Sequence, residues 1–256
     1  MKNAIVVGGS NGIGLSIVAA LRGYDNIYVV DRQRFTPPYD KRQTTDRQAL
    51  ANPNQTRYHF VPFDLLSEDY TLFDHMPAVD TLIITAGLGR LALFENTDEE
   101  EIQHTFQVNT IGPMRVIRHL YDRIRSQTED FYCAVMVSIS GMISSPFFSI
   151  YSASKAALHR FIESVNVELE KSGTRNRILE VSPGSIQGTR FYGGSNDLSQ
   201  TGPLAEEILG RMYRHETLYI PQYEEIFKEV LERYRSDPRR FGLESYDYKV
   251  KSGRVK

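Results

Sequence analysis

Tyr151 and Lys155 stand four residues apart at the head of an apolar-periodic run, Ala156, Ala157, Leu158, Phe161, Ile162, Val165 and Leu169. That period predicts a helix, and the spacing puts the phenol and the ammonium on one face of it. A free phenol titrates at about 10, and a positive charge within a few ångströms lowers that value. Such a pair can give and take a proton near neutral pH. The same spacing also describes two solvated side chains on a helix surface. The chemical reading therefore depends on what the rest of the chain places beside them.

The bulk properties set the frame. A chain of 256 residues with net charge −2 fits one α/β domain, and the charge excludes electrostatic binding of nucleic acid or of an anionic membrane. The apolar runs have the length of strands, so no transmembrane helix is expected. Met1 to Gly8 leads straight into a strand, which predicts no secretory leader and a cytoplasmic, reducing location. The one cysteine, Cys133, lies in an apolar run, reads as a core residue and excludes an internal disulfide. The six histidines show no ligand spacing, so no metal site is expected.

The elements that would position the pair are legible in order. Ala4-Ile5-Val6-Val7 reads as a buried parallel strand. Gly8-Gly9-Ser10-Asn11-Gly12-Ile13-Gly14 follows, then a helical pattern through Leu15, Ile17, Val18, Ala20 and Leu21. Strand, glycine-rich turn and helix form the setting of a dinucleotide loop. Its N–H groups and the helix dipole favour a pyrophosphate. Ile27 to Asp31 is the second strand, and Asp31 at its end is placed to accept from an adenosine ribose. A carboxylate there repels a 2′-phosphate and favours NAD(H), whereas Arg32 beside it would accommodate that phosphate and leaves NADP(H) open. Thr36 to Thr56 is polar and proline-bearing, so its crossover should be short or irregular.

Tyr58 to Val61 is the third strand and leads to Asp64-Leu65. Asp64 either accepts from an adenine amino group or N-caps a following helix. Thr81 to Ile84 is the fourth, followed by Thr85-Ala86-Gly87, whose small residues allow close approach of a ligand or backbone. Thr97, with Glu100 three residues later, reads as a capping box. The helix it opens meets Asn109-Thr110-Ile111-Gly112-Pro113. Pro113 lacks an N–H and so frees the Asn109 carbonyl, or else the site is a plain kink. Ala134 to Ser138 is the fifth strand, with Ser138 and Ser140 at its carboxyl end. Arg177 to Val181 is the sixth, ending in Ser182-Pro183-Gly184-Ser185-Ile186, also at the crevice where open α/β sheets bind ligands. Residues 187–215 read as a substrate lid, Leu218 to Ile220 as an edge strand, and 222–256 as a C-terminal helix and a tyrosine- and base-rich tail without an assignable role. Leu88, Leu91, Met142, Phe147, Phe148, Phe191 and Tyr192 could line an apolar pocket, or pack inward as core.

Together these motifs resemble the classical short-chain dehydrogenase/reductase family. Gly8, Gly12 and Gly14 match its cofactor turn, and Asn109, Ser138, Tyr151 and Lys155 match its catalytic tetrad. Ser138 lies thirteen residues before Tyr151, the family's interval, with Ser140 as the alternative. The resemblance covers residues 3 to about 190. It implies a single doubly wound Rossmann-type sheet of about seven parallel strands over residues 1–256. It also implies an NAD(P)-dependent oxidoreductase acting on a carbonyl or secondary alcohol. Cofactor contacts are implied at Gly8, Ser10, Asn11, Gly12, Ile13, Gly14, Asp31, Arg32, Asp64, Leu65, Ala86, Gly87, Tyr151, Lys155 and Ile186. In the family the tyrosine is the acid or base and the lysine lowers its pKa and holds the nicotinamide ribose. The serine positions the substrate oxygen, and the asparagine carbonyl holds a water. Assembly as a homodimer or homotetramer is implied as well. Three departures stand out: Thr85 where the family has Asn, Thr189 one residue late after Pro183-Gly184, and no Asp-Gly-Gly near the end. A non-catalytic dinucleotide-binding sensor or scaffold is the rival reading of the same fold. An extended-type relative acting on nucleotide sugars is opposed by the Gly8 spacing.

Overall fold

The computed structural model describes residues 1–37, 56–189, 191 and 196–253. Seven strands form one parallel sheet in the order β3-β2-β1-β4-β5-β6-β7. They are β1 (Asn3–Val7), β2 (Asn26–Asp31), β3 (Arg57–Pro62), β4 (Thr81–Ile84), β5 (Tyr132–Met136), β6 (Ile178–Val181) and β7 (Leu218–Tyr219). The order reverses between β1 and β4, so a crevice opens outside their carboxyl ends. Val7 pairs with Val30 on one side and Ile84 on the other, which brings three strand ends level there.

Strand side chains alternate between two cores. Ile5 and Val7 pack with Val116, Ile117, Leu158, Ile162 and Leu169. Ala4 and Val6 pack on the opposite face with Ile17, Val18, Ala205, Ile208 and Met212. The first set holds α3 (Gly112–His119) and α5 (Ser149–Lys171); the second holds α1 (Gly12–Ala20) and α6 (Leu198–Tyr213). Leu158 is wholly buried, and truncating such a leucine to alanine costs about 2–5 kcal/mol. This core fixes α5, and with it Tyr151 and Lys155, against the sheet. Cys133 is buried among the same residues, as its apolar run predicts, and burial pushes its thiol pKa up.

Several boundaries differ from expectation. The cap of α2 (Glu99–Phe106) is Asp98, whose carboxylate accepts from the Glu101 N–H at 2.7 Å. Thr97 instead donates to the Leu93 carbonyl, because the chain is still extended there. Asp64 caps no helix; its side chain accepts from the Leu66 N–H in a tight turn, and the next ordered turn is a short 3₁₀ segment, Thr71–Phe73. Pro113 does not merely kink a helix. Gln107–Ile111 widens into a π turn in which the Gly112 N–H reaches the Gln107 carbonyl, and Pro113 enters the first turn of α3. Within 187–215, α6 buries Ala205, Ile208, Leu209 and Met212, so that helix belongs to the packed body. A short α4 (Tyr121–Ile124) lies between α3 and α5, and the tail also forms structure, as α7 (Lys228–Ser236) and α8 (Pro238–Lys251). Most of the Thr36–Thr56 crossover, and Tyr192, lie outside the described residues.

Candidate active site

The glycine turn owes its shape to close backbone approach. Gly8 has φ +85°, and a Cβ there would sit 2.5 Å from the Ala86 backbone nitrogen. A side chain at this position would push the end of β1 off the end of β4. Asn11 starts α1 without a side-chain cap, which leaves the first N–H groups of α1 without that partner. The carboxylate of Asp31, at the end of β2, accepts from the Ser10 N–H at 3.0 Å and the Gln33 N–H at 2.9 Å. Asp31 thus braces the turn, and exposed Arg32 lies next to it. The Gly12 N–H donates to Asn196 Oδ1 at 2.9 Å, and Asn196 Nδ2 donates to Asn11 Oδ1 at 3.1 Å. An uncharged oxygen therefore already occupies an acceptor position over the turn. Such a cradle fits the oxygen-rich pyrophosphate of a dinucleotide.

Tyr151 and Lys155 lie one loop away. Lys155, 2% exposed, donates from Nζ to the Met136 carbonyl at the end of β5, 2.9 Å away. Its ammonium stands 6.0 Å from the centre of the Tyr151 ring. Burial pulls the Lys155 pKa from 10.5 down to about 8. Asn109 is fully buried. Its side chain accepts from the Leu88 N–H at 2.9 Å and donates to the Leu88 carbonyl at 2.8 Å and Ser154 Oγ at 3.0 Å. Ser154 Oγ donates in turn to the Tyr151 carbonyl at 2.7 Å. Asn109 therefore ties the loop after β4 to the first turn of α5. Ser138 Oγ accepts from the Ser140 N–H at 3.2 Å and reaches the Pro183 carbonyl at 3.5 Å. The Ser140 carbonyl accepts from Ser152 Oγ, which seats the serine loop on α5.

The loop Ala86–Gly89 joins the two halves. Ala86 touches Gly8. A Cβ on Gly87 would lie 3.4 Å from both Asn109 Oδ1 and Lys155 Nζ. One on Gly89 would lie 2.8 Å from the rings of Tyr151 and Phe191. Thr85, in place of the family's asparagine, donates to the Gly8 carbonyl at 3.1 Å, so it serves the sheet end. Tyr151 is 9% exposed, with Phe148 at 5.3 Å and Phe191 at 5.4 Å between ring centres. The cleft beside it has room for about 10 Å³ and includes Gly89, Thr105 and Phe148, so the phenol is closed over here. A roomier cleft of about 920 Å³ lies between Ser185–Gln187, α6 and Tyr219–Glu225. Ile186 lines it, and its carbonyl accepts from Thr189 Oγ1 at 3.0 Å. The late Thr189 stands 3.6 Å from a Cβ position on Gly12 and so overhangs the glycine turn.

Leu65 is drawn in from the side. Its carbonyl accepts from Tyr70 OH at 2.7 Å and Gln107 Nε2 at 3.1 Å, which couples the end of β3 to the π turn. Leu88 and Leu91 are half-buried at this loop, while Met142 packs with Ile139 and Ile220 in a small separate core. Asn196, Gly89 and Ser154 were not singled out by sequence. For Ser154 a signal existed, since it lies within Tyr151-Ser152-Ala153-Ser154-Lys155, three residues from the tyrosine. Among the described residues no group of three or more His, Cys, Asp or Glu side chains is placed to hold a metal ion.

The profile of the short chain dehydrogenase family matches residues 2–197. The chain belongs to that family. An uncharacterised oxidoreductase, TDA5 of Saccharomyces cerevisiae, is 28% identical over 197 residues, 75% of this chain and 58% of that protein. The match therefore spans somewhat more than half of that relative's length. A short-chain dehydrogenase from Streptomyces avermitilis superposes with a TM-score of 0.71 at 23% identity, covering 99% of each chain. One from Burkholderia cenocepacia, in complex with NADP, superposes at 0.72 with 20% identity over 96% of this chain and 99% of its own. At such identity these two structures speak for the fold, and they agree with the doubly wound sheet.

Proposed function

We propose that this short-chain dehydrogenase is a nicotinamide-dependent oxidoreductase that interconverts a carbonyl and a secondary alcohol. The bridge Ala86–Gly89 carries the reading. One end touches the glycine turn at Gly8, and three residues on the loop has met Lys155, Asn109 and Tyr151. The cofactor, when bound, supplies or accepts the hydride. All other steps fall to the chain. The N–H groups of Ser10 to Gly14 bind the pyrophosphate, and Asp31 takes the adenosine ribose and favours NAD(H), with Arg32 as the group that would admit NADP(H). Asp64 and Leu65 border the adenine; Ala86, Gly87 and Ile186 border the nicotinamide half. Ser138 donates to the substrate oxygen and orients it. Tyr151 delivers a proton to that oxygen in reduction and removes it in oxidation. Lys155 favours the phenolate and holds the ribose. The Asn109 carbonyl, freed by Pro113, holds a water beside Lys155. Phe191 must swing off Tyr151 to admit substrate, the part of the lid expectation that α6 leaves standing.

A fluorescence titration with NADH and NADPH, followed by a panel of ketones and secondary alcohols, tests the reading. NADH should bind the more tightly. Tyr151→Phe should lower turnover by ~10²-fold or more, the general acid/base range, with cofactor affinity little changed. Wild-type turnover in that variant removes Tyr151 from the mechanism. Tight cofactor binding with no turnover on any substrate favours the sensor or scaffold instead.

A further inference from the structure

The C-terminal residues that had no role in sequence fold as α8, and α8 reaches the loop that leads into Tyr151. Lys249 Nζ donates to Ser145 Oγ and to the Pro146 carbonyl, each at 2.7 Å, and lies 5.4 Å over the Phe148 ring. Tyr246 stacks on Phe147 at 4.6 Å between centres and 29° between planes. A Cβ on Gly242 would sit 3.4 Å from Ser144 Oγ. Phe147 holds φ +66°, a left-handed conformation unfavourable for an aromatic residue, and its carbonyl accepts from the Ala92 N–H at 2.9 Å. Phe148, next to it, is the N-cap of α5 and packs on Tyr151.

Burial does not explain this attachment. No residue of α8 is buried, and Leu243, Tyr248 and Val250 are 50–66% exposed. The polar and ring contacts converge on Ser144 to Phe148. Lys249 is also an awkward choice for a tether, because partial burial of its ammonium pulls its pKa down to about 8. An apolar side chain would fill that place with less desolvation.

We propose that Lys249 and Tyr246 are positioning residues. They hold Ser145 to Phe148 in the arrangement that sets Phe148 against Tyr151, so the C-terminal helix shapes the substrate-side wall of the site. The functional half of this inference rests on the oxidoreductase reading; the clamp itself does not. The experiment uses the full chain with Lys249→Met, Lys249→Arg and Tyr246→Ala, read by amide hydrogen exchange without cofactor and by steady-state kinetics with NADH and the best carbonyl substrate. Lys249→Met and Tyr246→Ala should speed exchange several-fold within residues 143–150 only. They should raise KM on the order of 10-fold with NADH affinity unchanged, and Lys249→Arg should restore part of both. Unchanged exchange and KM in both variants overturn the proposal. Faster exchange throughout the chain also overturns it, because α8 would then support the fold as a whole. If the wild-type chain turns over no carbonyl, exchange alone decides the clamp, and the oxidoreductase reading fails separately.

Discussion

Lys155 combines the place of the proposed proton-transfer pair with a thermodynamic signature open to test. Its ammonium is buried against the Met136 carbonyl, and that burial pulls its pKa down from the ordinary 10.5 to about 8. Between those values the unfolded chain binds more protons than the folded one, so this group makes stability rise with pH. Below about pH 8 the charge is buried at a cost. Lys249 acts in the same direction over the same window. Denaturant midpoints at pH 7.5 and 9.5 should therefore converge when Lys155→Met is compared with wild type: the variant's advantage is largest at the lower pH. A gap independent of pH would show that burial does not perturb this lysine. The wall around Tyr151 has a similar logic at Gly89. No side chain fits between that backbone and the Tyr151 and Phe191 rings.

At the scale of elements, α5 is held to the sheet by more than apolar contact. His159, one helical turn beyond Lys155, donates from Nδ1 to the carboxylate of Glu180 in β6 at 2.8 Å, and Ser182 Oγ donates to the same carboxylate at 2.7 Å. The Glu180 hydrogen bond raises the His159 pKa above its ordinary 6.5. The extra stability is then fully present below about pH 6.5 and is lost as pH rises through the raised folded value. Glu180→Gln should lower the melting temperature most at pH 6 and less at pH 9. An equal loss at both ends would assign the effect to packing. Asn196 supplies a second element-scale test. Its side chain holds the Gly12 N–H and the Asn11 side chain, both in the turn that would take the pyrophosphate. Asn196→Ala should tighten NADH binding by about 2–10-fold, the equivalent of one ordinary hydrogen bond no longer displaced. Weaker binding would mean that Asn196 contacts the cofactor instead.

For the whole molecule the open question is assembly. Ile111, beside Pro113, is 43% exposed and Val167 on α5 is 60% exposed. Both lie on the sheet face covered by α3 and α5, and we propose that the homodimer or homotetramer implied by the family resemblance forms through that layer. Light scattering behind size exclusion should give two or four times the 29.3 kDa of one chain. A monomer at micromolar concentration would rule this assembly out, and charged substitution at Val167 should then leave the mass unchanged. Among the described residues no helix is long and apolar enough to cross a membrane, as the short apolar runs predict.

Local chemistry made much of this molecule readable in one dimension. β-branched runs bounded by glycine, a glycine-rich turn from Gly8 to Gly14 and a tyrosine four residues before a lysine are short-range features, and periodicity turns them into strands, a loop and a helix face. The edge strand at Leu218 and the core position of Cys133 followed from the same patterns. Residues far apart in sequence were another matter. Asn196 meeting Gly12, Lys249 meeting Ser145, and Leu65 meeting Gln107 depend on where the packed sheet delivers each chain end. The π turn at Asn109, in which the Gly112 N–H bonds to the Gln107 carbonyl, goes beyond the kink that Pro113 by itself implies. Local sequence carries the energy of the backbone's own preferences. Long-range contacts are selected by burial and by the need of every enclosed polar group to find a partner, and only the assembled fold decides which partner that is.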